Sequence, residues 1–581
     1  MKPNLAKLYL VLIIASAFTW QCIGAWQDSQ TTDEAVHLTA GLSYWQTGSF
    51  RLNPEHPSLF KLWASLPLHL LPNTQITNLD QTQWLVGIDY LYHSTAQEQY
   101  NSRFLLVAGR FPMILIWLGL ILTTMIYSWR RWGPWSAVAV TAVLAYDPNF
   151  LGHGHLITND VATAFAYLGA CLTLNWFIEH PSWKRLGIFS SLFSVALLTK
   201  FSTIVLWLVV PIIGLMAIIY QRPNFTWRWW WRLMLGCLVV TTIMTWLAYG
   251  GKFTRINADP LIDRLWQTRS YLVNNHLEAT VPTYTRLFIH LADPDRLSGK
   301  VLTNVQHWSI PAYAYWYGFF SAFSHNAYGH AAYLLGHVSE LGWWYYFPVA
   351  MGVKTPILTL FLLLVWLIIS VAIHGEQWRK KRWAERVPFD FWILVFPPLL
   401  FFLWSMTSHI NIGFRHIFAT YVFFPLAAGS ALHYLHRRGT RWIPGIAMSI
   451  AIVTMTVGTL AWPNTIGYFN GFAGGAKNGW HYVTDSNLDW GQDYIRLHNF
   501  FDQQKFSEVH VALFGSVPSN VYFPEATGVM RDDEITAGLH PSGIIAVSYN
   551  ELYFGDTSLT WLRSQAPTWR IGSSILVFDF R

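Results

Sequence analysis

Acidic side chains stand directly beside long apolar runs in this sequence. The pair Asp33-Glu34 follows the first apolar run, Leu8 to Trp26, and Asp160 comes just before a later one. Carboxylates close to hydrocarbon are expensive to place, so acids in such positions are functional candidates by default. Two separated carboxylates suit general-base chemistry, in which one deprotonates an acceptor hydroxyl or amine and the other orients it. Asp33, Glu34 and Asp160 are therefore the candidate catalytic residues.

Cations and imidazoles occupy comparable positions near the ends of apolar runs. Arginine binds a phosphate through its bidentate fork, and lysine binds it as a point charge. Carboxylates together with such cations at a lipid interface suggest transfer of a group from a lipid-linked phosphate donor. The candidates for contacting the donor phosphate or the substrate are Glu55, His56, Arg110, His155, Lys200, Lys354, Arg415 and His416.

The composition places these residues in a membrane protein. Hydrophobic residues make up 53% of the 581-residue chain and charged residues only 12%, which is too apolar for a soluble globular protein. A helix needs about 20 mostly apolar residues to cross the hydrocarbon core, and the sequence predicts eleven such spans. They cover residues 8–26, 104–127, 132–149, 161–178, 186–200, 202–220, 231–250, 349–374, 389–408, 414–434 and 443–462.

Basic residues occur in every second connecting segment and give an orientation, because Lys and Arg concentrate in cytoplasmic loops. The basic segments are Lys2 with Lys7, Arg130-Arg131, Lys184-Arg185, Arg222 with Arg228 and Arg232, Arg379 to Arg382 with Arg386, and Arg437-Arg438 with Arg441. The N-terminus is thus expected in the cytoplasm and the C-terminus outside, together with loops 27–103, 147–160, 251–348 and 409–413. The net charge of +7 is a topology signal, and nucleic acid is not an expected partner.

Two units are expected from the pattern of apolar and polar residues. Residues 1–462 form a transmembrane unit whose outward loops 27–103 and 251–348 are rich in Trp, Tyr, Pro and His, a composition typical of helices in the membrane interface. Residues 463–581 combine β-rich segments with a helical pattern over Asp489 to Gln504, which predicts a small α/β domain outside the membrane. The expected strands are Val509 to Phe514, Gly543 to Ser548 and Ser574 to Phe580.

Several segments resemble the membrane glycosyltransferases of the GT-C fold, close to the family 39 protein O-mannosyltransferases and to the aminoarabinose transferases that modify lipid A. The resemblance covers most of the membrane part, and its later segments are similar to a bacterial subgroup of these proteins. The segments that carry it are Asp33-Glu34, Pro54-Glu55-His56-Pro57, Asp160, Lys200 in Leu-Leu-Thr-Lys-Phe-Ser, Trp343-Trp344-Tyr345-Tyr346, Lys354-Thr-Pro356, Asn411-Ile-Gly-Phe-Arg415-His416 and Asp485-Ser-Asn487-Leu-Asp489.

The resemblance implies an inverting transfer of a hexosyl or pentosyl group from a polyprenyl-phosphate sugar to a lipid, glycan or protein acceptor. The reaction would take place at the outer face of a bacterial plasma (inner) membrane. Asp33 matches the acid usually proposed as base or acceptor-orienting group, and Asp160 matches the second acid of the fold. Glu55-His56 stands where the aminoarabinose transferases have a Glu-Lys pair beside the donor phosphate. Because that glutamate helps hold a divalent metal ion, Glu55 is the candidate metal ligand here.

Each candidate also has a structural interpretation. Asp33 is compatible with a solvated loop carboxylate or a helix N-cap, and Asp160 with the N-cap of the following span. Lys200, at the end of a span, is explained equally by snorkelling to the interface, and Glu55 by a turn between prolines. For the whole protein, the alternatives are a transporter or flippase of a lipid-linked or small polar substrate, and a lipid-binding scaffold. Transporters usually place their polar residues at mid-depth in broken helices.

Overall fold

The computed structural model describes residues 3–581, apart from 221, 223, 380–388, 507, 555–556 and most of 256–307. Helices dominate the described residues, and small sheets occur in the outer loops and the C-terminal part. The predicted basic run ending at Arg386 and the first half of the predicted outward loop 251–348 lie largely outside the described residues.

The polytopic helical membrane architecture predicted from composition is confirmed, since all eleven predicted spans coincide with helices. Within the described residues, seven helices are long and apolar enough to cross a membrane, and eight if one bent pair counts as a single span. The predicted spans 132–149, 186–200 and 389–408 form the shorter helices Pro134–Ala145, Trp183–Leu197 and Phe389–Ser405. The seven long ones are Asn4–Gln27, Ser102–Trp132, Asp160–Glu179, Phe201–Ile219, Trp227–Ala248, Phe414–Arg437 and Ile443–Ala461.

The bent pair lies where the predicted span 349–374 begins. Helix Tyr346–Lys354 meets helix Ile357–Arg379 at an angle of 110° across Thr355 and Pro356. Proline disfavours the helical conformation of the residue before it, and Thr355 is accordingly extended, with ψ of 130°. The side-chain amide of Asn470 donates to the carbonyls of Gly352 and Thr355, so the segment after the last span holds the bend.

The first outward loop folds into four helices, Glu34–Thr47, Leu59–Leu70, Gln83–Tyr92 and Thr95–Tyr100. The helix Glu34–Thr47 is buried over its first eleven residues, Glu34 to Tyr44. Leu38, Leu42, Phe60 and Leu105 share one apolar cluster there. The described part of the second predicted outward loop contains the helix Tyr313–Tyr328 and two small antiparallel sheets, which pair Phe253–Arg255 with Ser309–Pro311 and Ala332–Leu334 with His337–Ser339.

The C-terminal part contains the α/β structure predicted for it. Strands Val509–Ala512 and Ile544–Ser548 pair in parallel, and Ile575–Asp579 pairs antiparallel with both Ile544–Ser548 and Trp569–Ile571. Alternate residues of these strands pack beneath the helix Tyr494–Gln504, which contributes Leu497 and Phe501 to their apolar cluster. Three of the four strands were predicted, and Trp569–Ile571, only three residues long, was not.

Candidate active site

Four of the predicted site residues form one charged cluster, made of Asp33, Asp160, Lys200 and Arg415. The Arg415 guanidinium contacts both acids, with Nη1 3.1 Å from Oδ2 of Asp160 and Nη2 3.4 Å from Oδ2 of Asp33. The Lys200 ammonium lies 2.7 Å from Oδ1 of Asp160. Two carboxylates and two cations from four distant parts of the sequence therefore meet at one place.

All four residues of the charged cluster sit at helix ends. Asp33 directly precedes the helix Glu34–Thr47, and Asp160 lies in the first turn of Asn159–Glu179. Lys200 precedes the short 3-10 helix Phe201–Val205, and Arg415 lies in the 3-10 helix Phe414–Ile417. Helix ends leave backbone groups unpaired and admit polar side chains at the border of an apolar bundle. The charged cluster is thus formed by residues at the ends of helices.

The two acids of the charged cluster differ in exposure and in the number of their partners. The Asp160 side chain is fully buried and both its oxygens are taken by the two cations. The Asp33 side chain is 23% exposed, and its only ion pair with a described residue is the 3.4 Å contact to Arg415. Asp33 is therefore the accessible carboxylate, whereas Asp160 holds Lys200 and Arg415 in position.

The alternative of helix capping does not account for either acid. Asp33 stands at the N-cap position of Glu34–Thr47, but its side chain makes no capping hydrogen bond. The N-cap of the helix Asn159–Glu179 is Thr158, and Asp160 turns its carboxylate to the cations instead. Snorkelling likewise does not describe Lys200, because its side chain is only 12% exposed and its ammonium is paired with Asp160.

Residues that follow the last span hold Arg415 in position. The Arg415 Nε donates to the hydroxyl of Ser486 at 3.0 Å, and the guanidinium carbon lies 3.9 Å from the ring centroid of Trp490. The Ser486 hydroxyl donates to the carbonyl of Ile412 at 2.6 Å, and the Asn487 side chain accepts from the amide of Phe414 at 2.8 Å. A cation over a Trp face is attracted by the ring quadrupole. The segment around Ser486 thereby fixes the arginine that joins the two acids.

Asp485, beside that serine, was left without a role by sequence reasoning and proves to face the charged cluster. Burial raises the pKa of Asp485 to about 6, and Arg415, His330 and Asp33 are the charged groups that act on it. Its backbone adopts a left-handed conformation, with φ of 53°, that is uncommon outside glycine. The amide N–H of Asp485 donates to the Asn550 side chain at 2.8 Å. Its place after the last span concealed its proximity to Asp33.

Several imidazoles lie near the charged cluster. His37 and His56 meet edge to face with centroids 5.2 Å apart, and Nδ1 of His56 lies 3.3 Å from the side-chain amide of Asn159. Burial lowers the pKa of His37 to about 4 and the pKa of His56 well below its ordinary value. Lys200 and Asp160 both act on His56 and on His416. The predicted substrate residues His56 and His416 thus lie beside the cluster.

Glu34, although next to Asp33 in the chain, pairs with Arg110 and not with the cations of the charged cluster. The Arg110 guanidinium contacts both Glu34 oxygens, at 2.8 and 2.6 Å, and both side chains are fully buried. The amides of Thr31 and Ile157 donate to the same carboxylate at 2.9 and 3.0 Å. Burial would raise the pKa of Glu34, but Arg110 and these hydrogen bonds outweigh it and the pKa is lowered. With every lone-pair direction engaged, Glu34 serves the fold, in contrast to the catalytic role expected from sequence.

Lys354 and His155 are also placed outside the charged cluster. The Lys354 ammonium is buried and donates to the carbonyls of Ile466 and Asn487, both at 2.7 Å. His155 lies between the carboxylate of Asp28 and the side-chain oxygen of Gln21, each at 3.0 Å. Both predicted substrate contacts therefore act as internal ties in this structure, and the Lys354 tie joins the bend at Thr355 to the C-terminal segment.

Glu55, the candidate metal ligand, pairs with an imidazole in this structure. Its carboxylate lies 2.9 Å from Nδ1 of His325, and both side chains are about one-third exposed. Among the described residues, no group of three or more His, Cys, Asp or Glu side chains is placed to hold a metal ion.

Comparison with known proteins finds similarity in structure alone. No family model matches the chain, and no curated protein does either. The chain is similar to a crystal structure of ArnT from Cupriavidus metallidurans bound to undecaprenyl phosphate, with 13% identity, a TM-score of 0.42, and coverage of 98% of this chain and 97% of that one. For ArnT in the apo state the values are 13%, 0.33, and 98% of both chains.

Proposed function

We propose that this protein is a membrane glycosyltransferase that moves a sugar from a polyprenyl-phosphate donor to an acceptor hydroxyl or amine. The transfer takes place at the outer face of the plasma membrane. The observation that carries the proposal is the charged cluster, in which one accessible carboxylate stands beside two phosphate-binding cations at the mouths of membrane helices. This arrangement suits a transfer reaction in which a base deprotonates the acceptor and cations stabilise the leaving phosphate.

The reaction balances in one displacement. The acceptor oxygen or nitrogen attacks the anomeric carbon from the face opposite the phosphate, and the bond from that carbon to the phosphate oxygen breaks. The acceptor proton passes to the Asp33 carboxylate, and the electron pair of the broken bond leaves with the polyprenyl phosphate. Attack from the opposite face inverts the anomeric configuration. No step requires a metal ion or another co-reactant.

The exposure of the two acids supports Asp33 as the base. A base must come within hydrogen-bond distance of the acceptor proton, and Asp33 is the acid of the cluster with exposed surface. Asp160 has no accessible oxygen and serves as a positioning residue.

Lys200 and Arg415 are the proposed partners of the donor phosphate. The Lys200 side chain is 12% exposed, while Arg415 presents a planar guanidinium fixed by Ser486 and Trp490. Fixed cations in a water-poor site stabilise charge as it develops, without reorganising at the moment of reaction. The N-terminus of Asn159–Glu179 adds the positive end of a helix dipole next to them.

The experiment is sugar transfer in proteoliposomes that contain the full-length protein, membrane lipid extract as acceptor source and polyprenyl-phosphate sugars labelled in the sugar. We expect label to move to a second lipid, glycan or protein fraction, with release of free polyprenyl phosphate. Arg415→Met should abolish both, whereas Arg51→Met, an exposed arginine of the same outer region, should change neither. Movement of label across the membrane without a new glycosyl product would instead identify a transporter.

The proposed orientation in the bacterial plasma membrane is testable separately. With the N-terminus in the cytoplasm and the C-terminal part outside, a reporter that is active only outside the cytoplasm should function when fused after residue 465. Activity of a cytoplasmic reporter at that position would refute the orientation, and with it the placement of the charged cluster on the outer face.

A further inference from the structure

A second charged region lies at the other end of the helix bundle. Arg110, beside Glu34, and Arg131 belong to the single helix Ser102–Trp132, and the rise of about 1.5 Å per residue separates them by about 32 Å. The span Phe414–Arg437 likewise carries Arg415 at one end and His436 at the other. A hydrocarbon core is about 30 Å thick, so this second region lies at the opposite membrane surface from the charged cluster.

The region contains a cavity of about 660 Å³ between two interhelical turns, termed here the basic cleft. One wall is the turn after Arg130 and Arg131, and the other is the loop from His436 to Arg441. Its volume falls within the roughly 300–1,000 Å³ of small-molecule sites. The cavity is also lined by Trp129, Trp132 and Trp135. Trp442, next to the cavity, is 79% exposed.

Most of the charge of the basic cleft has no acidic partner among the described residues. Arg130 and Arg441 form no ion pair with any residue in the described part of the chain, while Arg131 approaches Glu179 at 3.8 Å. None of the described residues that line the cavity is acidic. Exposed tryptophan is typical of the headgroup level of a bilayer, and basic pockets between membrane helices are suited to lipid phosphates.

We propose that the basic cleft binds the phosphodiester headgroup of an anionic membrane phospholipid. Arg130 and Arg441, from the two walls, contact the phosphate, and the tryptophans pack against the glycerol and the upper acyl chains. The inference is independent of the sugar-transfer proposal, because the cleft lies a membrane thickness away from Asp33. It predicts that the protein retains anionic lipid in preference to zwitterionic lipid.

The test is binding of phosphatidylglycerol and phosphatidylcholine to the full-length protein, measured by native mass spectrometry across a lipid titration. A gain of about 1 kcal/mol for each basic residue near a lipid surface implies that Arg130→Gln with Arg441→Gln weakens phosphatidylglycerol binding about thirtyfold. The matched control, Lys184→Gln with Arg228→Gln, removes the same charge from exposed residues outside the cleft and should bind as the unaltered protein does.

Three outcomes would overturn the proposal. An equal loss in the control pair would show attraction to general surface charge, and equal binding of phosphatidylcholine would show that charge is not recognised. Displacement of the lipid by millimolar inorganic phosphate would identify a soluble phosphate as the ligand. If the double variant unfolds at a lower temperature than the control in the absence of anionic lipid, the single variant Arg441→Gln is measured instead, with an expected loss of about fivefold.

Discussion

Replacement of Asp33 by asparagine separates the chemistry of this site from its stability. The amide keeps the shape of the side chain but removes the proposed base for the acceptor proton. General-base catalysis contributes about 10²–10⁴ in rate, which corresponds to roughly 3–5 kcal/mol of activation free energy. We therefore expect turnover of Asp33→Asn to fall by that factor, with the donor still bound.

The same substitution should hardly change the free energy of unfolding. The ion pair that it removes has a 3.4 Å separation and a partly exposed carboxylate, and such pairs contribute at most about 1 kcal/mol. Asp160→Asn makes the contrast, because it breaks contacts of 2.7 and 3.1 Å at a fully buried carboxylate. Loss of one partner from a buried ion pair costs about 3–5 kcal/mol.

The assay combines labelled sugar transfer in proteoliposomes with the unfolding midpoint of the same preparation. Asp89→Asn, at an acid of the outer loop whose side chain is 41% exposed, is the matched control and should alter neither quantity. Undiminished turnover of Asp33→Asn would refute its role as base. A fall in its stability as large as that of Asp160→Asn would refute the division of roles between the two acids.

Three further perturbations test other parts of the structure. Glu34→Gln leaves the Arg110 guanidinium buried without the carboxylate that it contacts, so the unfolding free energy in detergent should fall by about 3–5 kcal/mol. Turnover per folded molecule should stay the same. Lost turnover at full stability would contradict this expectation. Arg415→Lys cannot reach both acids and the serine at once, and should lower donor affinity or turnover roughly 10- to 150-fold; kinetics equal to those of the unaltered protein would oppose it. Burial raises the pKa of Asp489 to about 8, so this carboxyl is protonated in the folded state where the unfolded chain, with an ordinary value near 4, has lost its proton. Stability should therefore fall as pH rises from about 4 to about 8, and Asp489→Asn should flatten that part of the unfolding profile, whereas an unchanged slope would exclude the assignment.

The charged cluster was accessible to sequence reasoning because of where its members stand. Asp33, Asp160, Lys200 and Arg415 are each polar residues at the outer end of an apolar run, and alternating charge assigns all four ends to one surface. Helices of similar length bring equivalent ends to the same depth. Position along the chain therefore indicated that these residues share one surface, although neither which of the candidates contact each other nor the distances between them.

Partners inside the fold were less accessible, because pairing across long separations leaves no local signal. Glu34 and Arg110 are 76 residues apart and were selected as site residues for the same reason as Asp33. Lys354 resembles a phosphate ligand in sequence, yet its acceptors are the carbonyls of two residues more than a hundred positions later. A buried charge requires partners in either case, and the sequence alone does not distinguish a substrate from a neighbouring loop.

The C-terminal segment illustrates the same limit at the level of whole units. The strands were predicted from β-rich runs, and that pattern placed residues 463–581 outside the membrane as a separate domain. The run Asp485 to Trp490 nevertheless contacts Arg415 and the segment before it. A domain boundary predicted from hydropathy marks where the chain leaves the membrane. It does not show which residues beyond that point contact the charged cluster.

The support of Arg415 by Ser486 and Trp490 has a consequence for how the protein comes into being. A chain that has inserted its last span, Ile443–Ala461, still lacks the serine that accepts from the guanidinium and the ring beneath it. The arginine that joins the two acids is then held only by those acids. The charged cluster is therefore complete only after the segment around Ser486 has folded back onto the helix bundle. During biosynthesis, a chain that has already inserted every span still lacks this support of Arg415.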